Sequence, residues 1–496
     1  MSVTNLQRPD SDSRRWLALV VLCAGMLMIV LDQTIVNVAL PSIQHDLGFG
    51  QSNLAWVINA YLIAFGGLLL LAGRLGDLVG RRRIFLIGIA LFTAASALCG
   101  LAQDQVMLVV ARFVQGAGGA MTSSVILGMI ITMFPAPRDQ AKAIGVFSFV
   151  ASAGASIGLL AGGVLTQALS WHWIFFVNLP IGVATAFLAT RLVERDSGIG
   201  LRQGADVPGA ALITGALMLA VYTIVKTSDL GWGSAQTLVL GAVALVLAAG
   251  FIVRERTAGT PLIPLSIFRS RAVTGANLVQ MLMISGMFGT FFLGAVVLQR
   301  VLGYGPLDVG LAFLPVALCI GVLSLGITPR LNMRFGAKQT LLPGLVLVTG
   351  SLALFALAPV HAGYLSNLLA PMLLLGLGAG LVFPSVMTIA MTGVPMHQSG
   401  LASGLVNTSL QVGGALGLAV LATLSSTRTH HLLVAGASPG SALTRGFHLA
   451  LVVGAGLLVA AILAAATILR PAGAEPELEH ELEAAGPDEL IVCEAA

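Results

Sequence analysis

Gly73-Arg74-Leu75-Gly76-Asp77-Leu78-Val79-Gly80-Arg81-Arg82 is matched, 256 residues further on, by Pro329-Arg330-Leu331-Asn332-Met333-Arg334-Phe335-Gly336-Ala337-Lys338. Working outward, Gln115-Gly116-Ala117-Gly118-Gly119-Ala120 aligns with Leu375-Gly376-Leu377-Gly378-Ala379-Gly380 at an offset of 260. The stretch from Ala143-Ile144-Gly145 to Gly154-Ala155-Ser156-Ile157-Gly158 aligns with Ala402-Ser403-Gly404 to Gly413-Gly414-Ala415-Leu416-Gly417 at 259. Three nearly constant offsets mark a duplicated chain, and duplicated halves point to a transporter. The two copies run in parallel orientation.

The medium of this chain is set by its composition. Of 496 residues 57% are hydrophobic and only 9% charged; with 59 Gly counted and 4 Tyr removed about 68% are apolar, against ~45–50% in soluble proteins. Eight of the 21 acids lie between Glu475 and Glu494, so the body is poorer in charge than the total suggests. A net charge of +4, scattered over short connections, argues against a nucleic-acid surface.

Crossing a ~30 Å hydrocarbon core takes roughly 20 mainly apolar residues. Runs of that kind occur at 16–40, 54–73, 84–103, 105–131, 142–165, 173–193, 208–226, 236–253, 272–299, 306–327, 340–358, 366–393, 400–424 and 447–469. They are too long and too weakly alternating for barrel strands, so the expected fold is all-α, integral to the membrane, with fourteen spans. The expected divisions are an N-tail (1–15), a six-helix bundle (16–193), a linker carrying two inserted spans (194–271), a second six-helix bundle (272–469) and an acidic tail (470–496). The first run is too long for a cleaved signal peptide and lacks a small-residue cleavage pattern, so it reads as a retained span.

Short loops rich in Lys and Arg stay cytoplasmic. With both termini inside, 20 of the 25 basic residues fall in cytoplasmic segments, and the outer loops hold Lys226, Arg300, Arg428 and Arg445. Arg112 alone lies inside a span.

Soluble-enzyme chemistry finds little support. Lys142, Lys226 and Lys338 follow Ala, Val and Ala, whereas a P-loop needs Gly before its Lys. Gly154-Ala155-Ser156-Ile157-Gly158 matches the nucleophile-elbow pattern, yet it lies within an apolar run rather than at a strand-to-helix turn. The 4 cysteines show neither CxxC nor CxxH spacing, so neither a disulfide framework nor a metal site is indicated. No cofactor is expected.

Asp32 and Arg112 are the ionisable residues within spans, where each costs on the order of 2.5–3.5 kcal/mol at the bilayer centre. At 1.5 Å per residue Asp32 lies roughly 22 Å up span one, and Arg112 roughly 9 Å below the outer face on span four. Opposite charges at one depth suggest a pair or a relay. At the inner end of span two, Gly76 and Gly80 allow a tight turn, Asp77 faces the bases and Arg81-Arg82-Arg83 hold the loop inside. On span five Gly154, Gly158 and Gly162 recur every fourth residue, a small-residue stripe suited to close helix packing or to a hinge.

These stretches resemble the major facilitator superfamily, and within it the 14-span drug:proton antiporters. Leu31-Asp32-Gln33-Thr34-Ile35-Val36-Asn37-Val38-Ala39-Leu40-Pro41 looks like that group's first-span motif, Gly73 to Arg83 like motif A, Leu108 to Gly116 like motif B, and Gly154 to Gly163 like motif C. The resemblance implies that Asp32 carries or senses the proton and that Arg112 couples it. It further implies that Gly73, Asp77, Gly80, Arg81 and Arg82 latch the inner gate, and that Gly154, Gly158, Gly162 and Gly163 form the antiporter packing motif. Two positions depart from it. Leu78 stands where motif A usually has a base, and Leu159 where motif C usually has Pro.

Polar or aromatic residues in otherwise apolar spans are the candidates for the substrate path: Gln33, Asn37, Trp56, Asn59, Tyr61, Gln115, Ser148, Ser152, Gln280, Asn407 and Gln411. Hydrogen-bonded packing between helices is the plain alternative for them. Met281, Met283, Met287, Phe288, Phe291 and Phe292 either grip apolar substrates or face lipid. The expected function is proton-driven export of a small amphipathic compound across the cell membrane, the chain acting as a monomer with the proton gradient as energy source. A facilitator or proton symporter importing a solute is the alternative, and a membrane-embedded enzyme or sensor a remote one.

Overall fold

A computed structural model of the chain describes residues 9–50, 53–198, 200, 204–392, 394 and 399–469. Among the described residues there is no β-strand. Thirteen helices among the described residues are long and apolar enough to cross a membrane. In chain order, with α5 in its place, the helices are α1 (Ser13–Leu47), α2 (Asn53–Val79), α3 (Arg81–Gly100), α4 (Gln105–Met133), α5 (Pro137–Ala168), α6 (Trp173–Leu192) and α7 (Val207–Thr227). They continue with α8 (Ala235–Thr257), α9 (Arg271–Arg300), α10 (Pro306–Phe335), α11 (Ala337–Ala356), α12 (Tyr364–Met391), α13 (Leu401–Val434) and α14 (Pro439–Ile468). The run expected at 142–165 is continuous helix in α5, of which Ile157–Ala168 is the apolar part within the described residues. The acidic tail lies outside the described residues.

Several helices outrun the apolar stretches. The first continues through Pro41 to Leu47 and is closed by Gln44, whose carbonyl accepts from Phe49 N (3.1 Å) and whose Nε2 donates to Phe49 O (3.0 Å). α13 runs ten residues past 424 because its polar end still packs: Thr429 Oγ1 donates to Ser425 O (2.8 Å) and to Ala442 O (3.3 Å) near the start of α14. Helix length follows hydrogen-bond satisfaction, and hydropathy marks only the part in lipid.

The sequence repeat is visible as repeated helix crossings. Gly80 and Gly336 both take positive φ, +111° and +88°, at the turns joining α2 to α3 and α10 to α11, a conformation that favours glycine. A Cβ on Gly88 would lie 2.9 Å from Gly118 O where α3 crosses α4, and one on Gly344 3.0 Å from Gly378 O where α11 crosses α12. On α5, Gly154 abuts Leu27 and Val30, Gly158 abuts Leu31 and Thr34, and Gly162 abuts Ile35, all on α1. On α13, Gly413 and Gly417 abut the α9 backbone at Met281 and Ser285 in the same manner.

α1 to α6 therefore pack among themselves, as do α9 to α14. α7 packs on α2 and α13, and α8 packs on α7 with much of its length exposed. At the end assigned outside by the basic residues, the two groups are joined. Gln299 Nε2 donates to Val38 O (2.9 Å) and Leu307 N to Gln167 Oε1 (3.2 Å), while Gly163 lies against Pro306 and Leu307.

Candidate functional site: a buried ion pair on α1 and α4

Asp104 caps the N-terminus of α4, its carboxylate accepting from Met107 N (2.8 Å). More than three turns further along, Gly116 and Gly118 bring α4 against the backbones of α2 and α3. That closeness lets the Arg112 Nε donate to Val57 O on α2 (2.9 Å). Arg112 Nη1 donates to Asp32 Oδ2 at 2.5 Å, with both side chains at most 1% exposed. The two charges placed at one depth by helix rise thus form a buried ion pair.

Asp32 is held by more than the guanidinium. Its Oδ1 accepts from Gln115 Nε2 (2.8 Å) and from Asn178 Nδ2 (3.1 Å). Gln115 Oε1 accepts from Arg112 Nη1 (2.7 Å), and Ser96 Oγ accepts from both Gln115 (2.8 Å) and Asn178 (3.4 Å) while donating to Phe92 O (2.8 Å). The guanidinium carbon lies 4.4 Å from the Tyr61 ring centroid and 5.7 Å from that of Phe175, a cation–π environment at low dielectric. Removing one partner of such a pair costs about 3–5 kcal/mol, because the other charge is left uncompensated.

Gln115 and Tyr61, grouped by sequence with the substrate path, are members of this cluster. Asn178, Ser96 and Phe175 complete the cluster, and the depth arithmetic reaches the first two. Asn178 is five residues into its span and Ser96 seven residues from the outer end of its own, roughly 8 and 10 Å below the outer face at 1.5 Å per residue. Both are uncharged, and a neutral polar residue in a span carries no cost that marks it out.

The small-residue stripe serves the same helix. Gly154, Gly158 and Gly162 press on α1 on either side of Asp32 in sequence, and the next face of α5 meets α10, where a Cβ on Gly310 would lie 2.6 Å from Leu159 O. Leu159, at the position where Pro is usual, is buried, and α5 runs through it unbroken.

At the end of α2 that the basic residues assign inside, Asp77 Oδ1 accepts from Arg81 Nη2 (3.1 Å) and Nε (3.2 Å). The pair is 33% and 46% exposed, a setting in which an ion pair contributes about 0–1 kcal/mol. The turn is also held by Asp196, to which no local sequence pattern points. Its carboxylate accepts from the backbone N of Arg81 (2.5 Å) and of Arg82 (3.1 Å), capping α3 from the segment after α6. Arg81 Nη1 also donates to Gly128 O (3.0 Å), Arg82 Nη2 to Thr190 O (2.5 Å), and Leu78 is buried with its carbonyl accepting from Gly200 N (3.0 Å). A Cβ on Gly73 would make only an ordinary contact, 3.8 Å from Ser124 Cβ. Losing a side-chain cap costs about 1 kcal/mol, so Asp196→Ala is expected to lower the thermal midpoint of the detergent-solubilised protein by a few degrees. An unchanged midpoint would show that the cap is dispensable.

The remaining candidates divide by burial. Asn59, Gln280 and Gln411 are buried; both polar atoms of Asn59 and of Gln280, and Oε1 of Gln411, have no hydrogen-bond partner. A Cβ on Gly66 would lie 2.9 Å from Gln411 Cβ, so Gln411 sits where α2 meets α13. Asn37 Nδ2 donates to Gln33 O (3.1 Å) and Thr34 O (3.3 Å) of its own helix, and Asn407 is exposed with its Nδ2 donating to Ser403 O (3.1 Å). Gln33 and Trp56 are half-buried. The side chains of Ser148 and Ser152 lie outside the described residues. Met283, Met287 and Phe292 are buried, whereas Met281, Phe288 and Phe291 are partly exposed.

The family model of the Major Facilitator Superfamily matches residues 22–418. The chain belongs to the major facilitator superfamily. It is a multi-pass membrane protein, and its family is one of transporters. Among similar proteins, the puromycin resistance protein pur8 of Streptomyces alboniger is 40% identical over 460 residues, 91% of each chain. The cephamycin export protein CmcT of Amycolatopsis lactamdurans is 38% identical, covering 85% of this chain and 87% of that one. The multidrug resistance protein Stp of Mycobacterium tuberculosis is 35% identical over 84% of this chain and 78% of its own length. The fold is shared with the crystal structure of a bacterial homolog to the human lysosomal transporter Spinster, at a TM-score of 0.66 and 16% identity over 93% of this chain and 98% of that one. The match spans 78% or more of each of these proteins.

Proposed function

We propose that this major facilitator protein exports small amphipathic compounds, of the kind named for its relatives, in exchange for protons entering through Asp32. The observation that carries the reading is the Asp32–Arg112 pair itself. It is a single buried carboxylate on the helix that both the α5 glycine stripe and the outer contact with α9 engage. A carboxylate whose distance to a guanidinium, or whose hydration, changes during a transport cycle changes its proton affinity. Rocking of the two six-helix groups alters that environment, and substrate competing for the deprotonated form links export to proton entry.

Asn59, Gln280 and Gln411 support a substrate role, since a buried carboxamide left without partners costs about 1–3 kcal/mol and a hydrogen-bonding substrate removes that cost. Asp77, Arg81 and Arg82 act at the inner gate. The protein works by transport rather than catalysis, as a monomer in the inner membrane, with fourteen spans, both termini cytoplasmic, and α7 with α8 as an accessory pair at 194–271 between the bundles 16–193 and 272–469.

A drug-susceptibility panel in an efflux-deficient host tests the function. Protection against at least one amphipathic antibiotic relative to empty vector is expected; no protection across the panel, with protein present in the membrane, would overturn it. Leu159 favours a second reading, a symporter or facilitator importing a solute, and inward flux in vesicles would select it. For topology, cysteines placed in 191–207, 254–271 and 330–339 should label from the cytoplasmic side alone. Outside labelling at any of these loops would break the fourteen-span arrangement.

A further inference from the structure

Besides Asp32, two acids are buried among the described residues, Asp206 at 1% exposed and Glu255 at 4%. They stand where the accessory pair ends, just past the apolar runs 208–226 and 236–253. Asp206 precedes α7, and its Oδ1 accepts from Gly209 N (3.1 Å), capping that helix, and from Arg254 Nε (2.9 Å). Glu255, in the last turn of α8, accepts through Oε2 from Ile263 N (2.9 Å). The second oxygen of each, Asp206 Oδ2 and Glu255 Oε1, is buried without a hydrogen-bond partner.

These two bare oxygens converge. A Cβ on Gly209 would meet Asp206 Oδ2 and stand 3.2 Å from Glu255 Oε1, so both border one point beside the first turn of α7. Arg254, 43% exposed, is the cation paired with them. From α2, Arg74 Nε donates to Gly204 O (3.3 Å), and α13, which packs on α7, has no ionisable residue from Leu401 to Thr427. Two carboxylates against one guanidinium leave one negative charge in excess, and like charges at one buried site make one carboxyl keep its proton. A calcium ion asks for six or more oxygens, and among the described residues no group of three His, Cys, Asp or Glu could hold a metal ion. A proton asks for two oxygens.

The pair also lies between segments that lead to both bundles. Gly204, held by Arg74 of α2, faces Thr260, with a Cβ there 3.3 Å from Thr260 Oγ1. Ile263, held by Glu255, packs against Ile267, Val273, Ala402 and Leu405, at the start of α9 and of α13.

We propose that Asp206 and Glu255 form a proton-binding site, one proton shared between Oδ2 and Oε1, that fastens the accessory pair to the segment entering α9. With the proton in place one carboxyl O–H donates to the other carboxylate. When the proton leaves to water, two like charges face each other and the fastening at Ile263 loosens. The site stands independently of the export reading, because nothing in it requires Asp32 or a substrate.

Infrared difference spectra of the intact protein in nanodiscs, titrated between about pH 5 and about pH 9, test this. A protonated-carboxyl C=O band that is lost as pH rises is expected. It should be missing from Glu255→Gln and from Asp206→Asn, each of which places an amide N–H where the shared proton lies, and should persist in Asp32→Asn. The titration should be the same in sodium and in choline buffers. A carboxyl that holds its proton only in the folded state makes stability fall as pH rises, so the thermal midpoint of Glu255→Gln should match that of the intact protein at the acid end and exceed it at the alkaline end. Labelling of a cysteine at the buried Leu262 should speed up several-fold with pH relative to the same cysteine in Glu255→Gln. A band indifferent to both Glu255→Gln and Asp206→Asn would overturn the proposal, as would a titration displaced by sodium, or parallel midpoint profiles for Glu255→Gln and the intact protein.

Discussion

Asp32→Asn is expected to bring the steady-state accumulation ratio of an exported drug in energised vesicles down to about one, with the protein still in the membrane. One proton moving down 100 mV supplies ~2.3 kcal/mol, enough for roughly 50-fold accumulation at 1.4 kcal/mol per decade; without a group that takes up and releases the proton, none of this reaches the substrate. The geometry also separates loss of coupling from loss of structure. Asparagine keeps an oxygen to accept from Gln115 and Asn178, while Arg112 loses its counter-charge. Arg112→Ala is the harsher change, because it leaves Asp32 charged, 0% exposed and facing only amide donors. It is expected to cost about 3–5 kcal/mol of stability, and pairing it with Asp32→Asn should restore much of that loss without restoring uphill transport. Recovery of neither stability nor expression in the double variant would show that the pair is not the source of the loss.

Gly158→Leu is the second change with a large expected effect. Even a Cβ at Gly158 meets Thr34 Oγ1 and stands 2.9 Å from Leu31 O, so a leucine forces α5 away from α1 beside the ion pair. Overpacking of this kind costs about 1–3 kcal/mol, and here it falls on the helix whose position sets the Asp32–Arg112 distance. Export should be lost in the susceptibility assay, with a lowered thermal midpoint. Gly158→Ala should be milder, and Thr34→Ala should relieve it in part, since the first atom met is the Thr34 hydroxyl. A fully active Gly158→Leu protein would remove close α1–α5 packing from the mechanism.

What the sequence made legible follows from which signals repeat. The offsets of 256 to 260 appear again as paired crossings, Gly88 on Gly118 and Gly344 on Gly378, because a glycine at a helix crossing leaves the same mark in sequence and in space. Asp32 and Arg112 were legible because a charge in an apolar run is costly and needs a partner. Asn178, Ser96 and Asp196 were not: a neutral polar residue in a span is common, and Asp196 acts across 114 and 115 residues of chain on a helix end that no local pattern links to it. Gln115 and Tyr61 read in sequence as substrate-path candidates and stand in the structure beside the ion pair, since sequence locates a polar residue in a span without telling which face of the helix it occupies.

The most direct test of proton coupling through Asp32 is proton movement in proteoliposomes carrying an internal pH-sensitive dye, with the exported drug identified by susceptibility added under an imposed pH gradient. The intact protein is expected to accumulate drug uphill while protons move the opposite way, and Asp32→Asn to show neither. Drug accumulation by Asp32→Asn against a gradient, abolished by an uncoupler, would mean that the proton travels by another route.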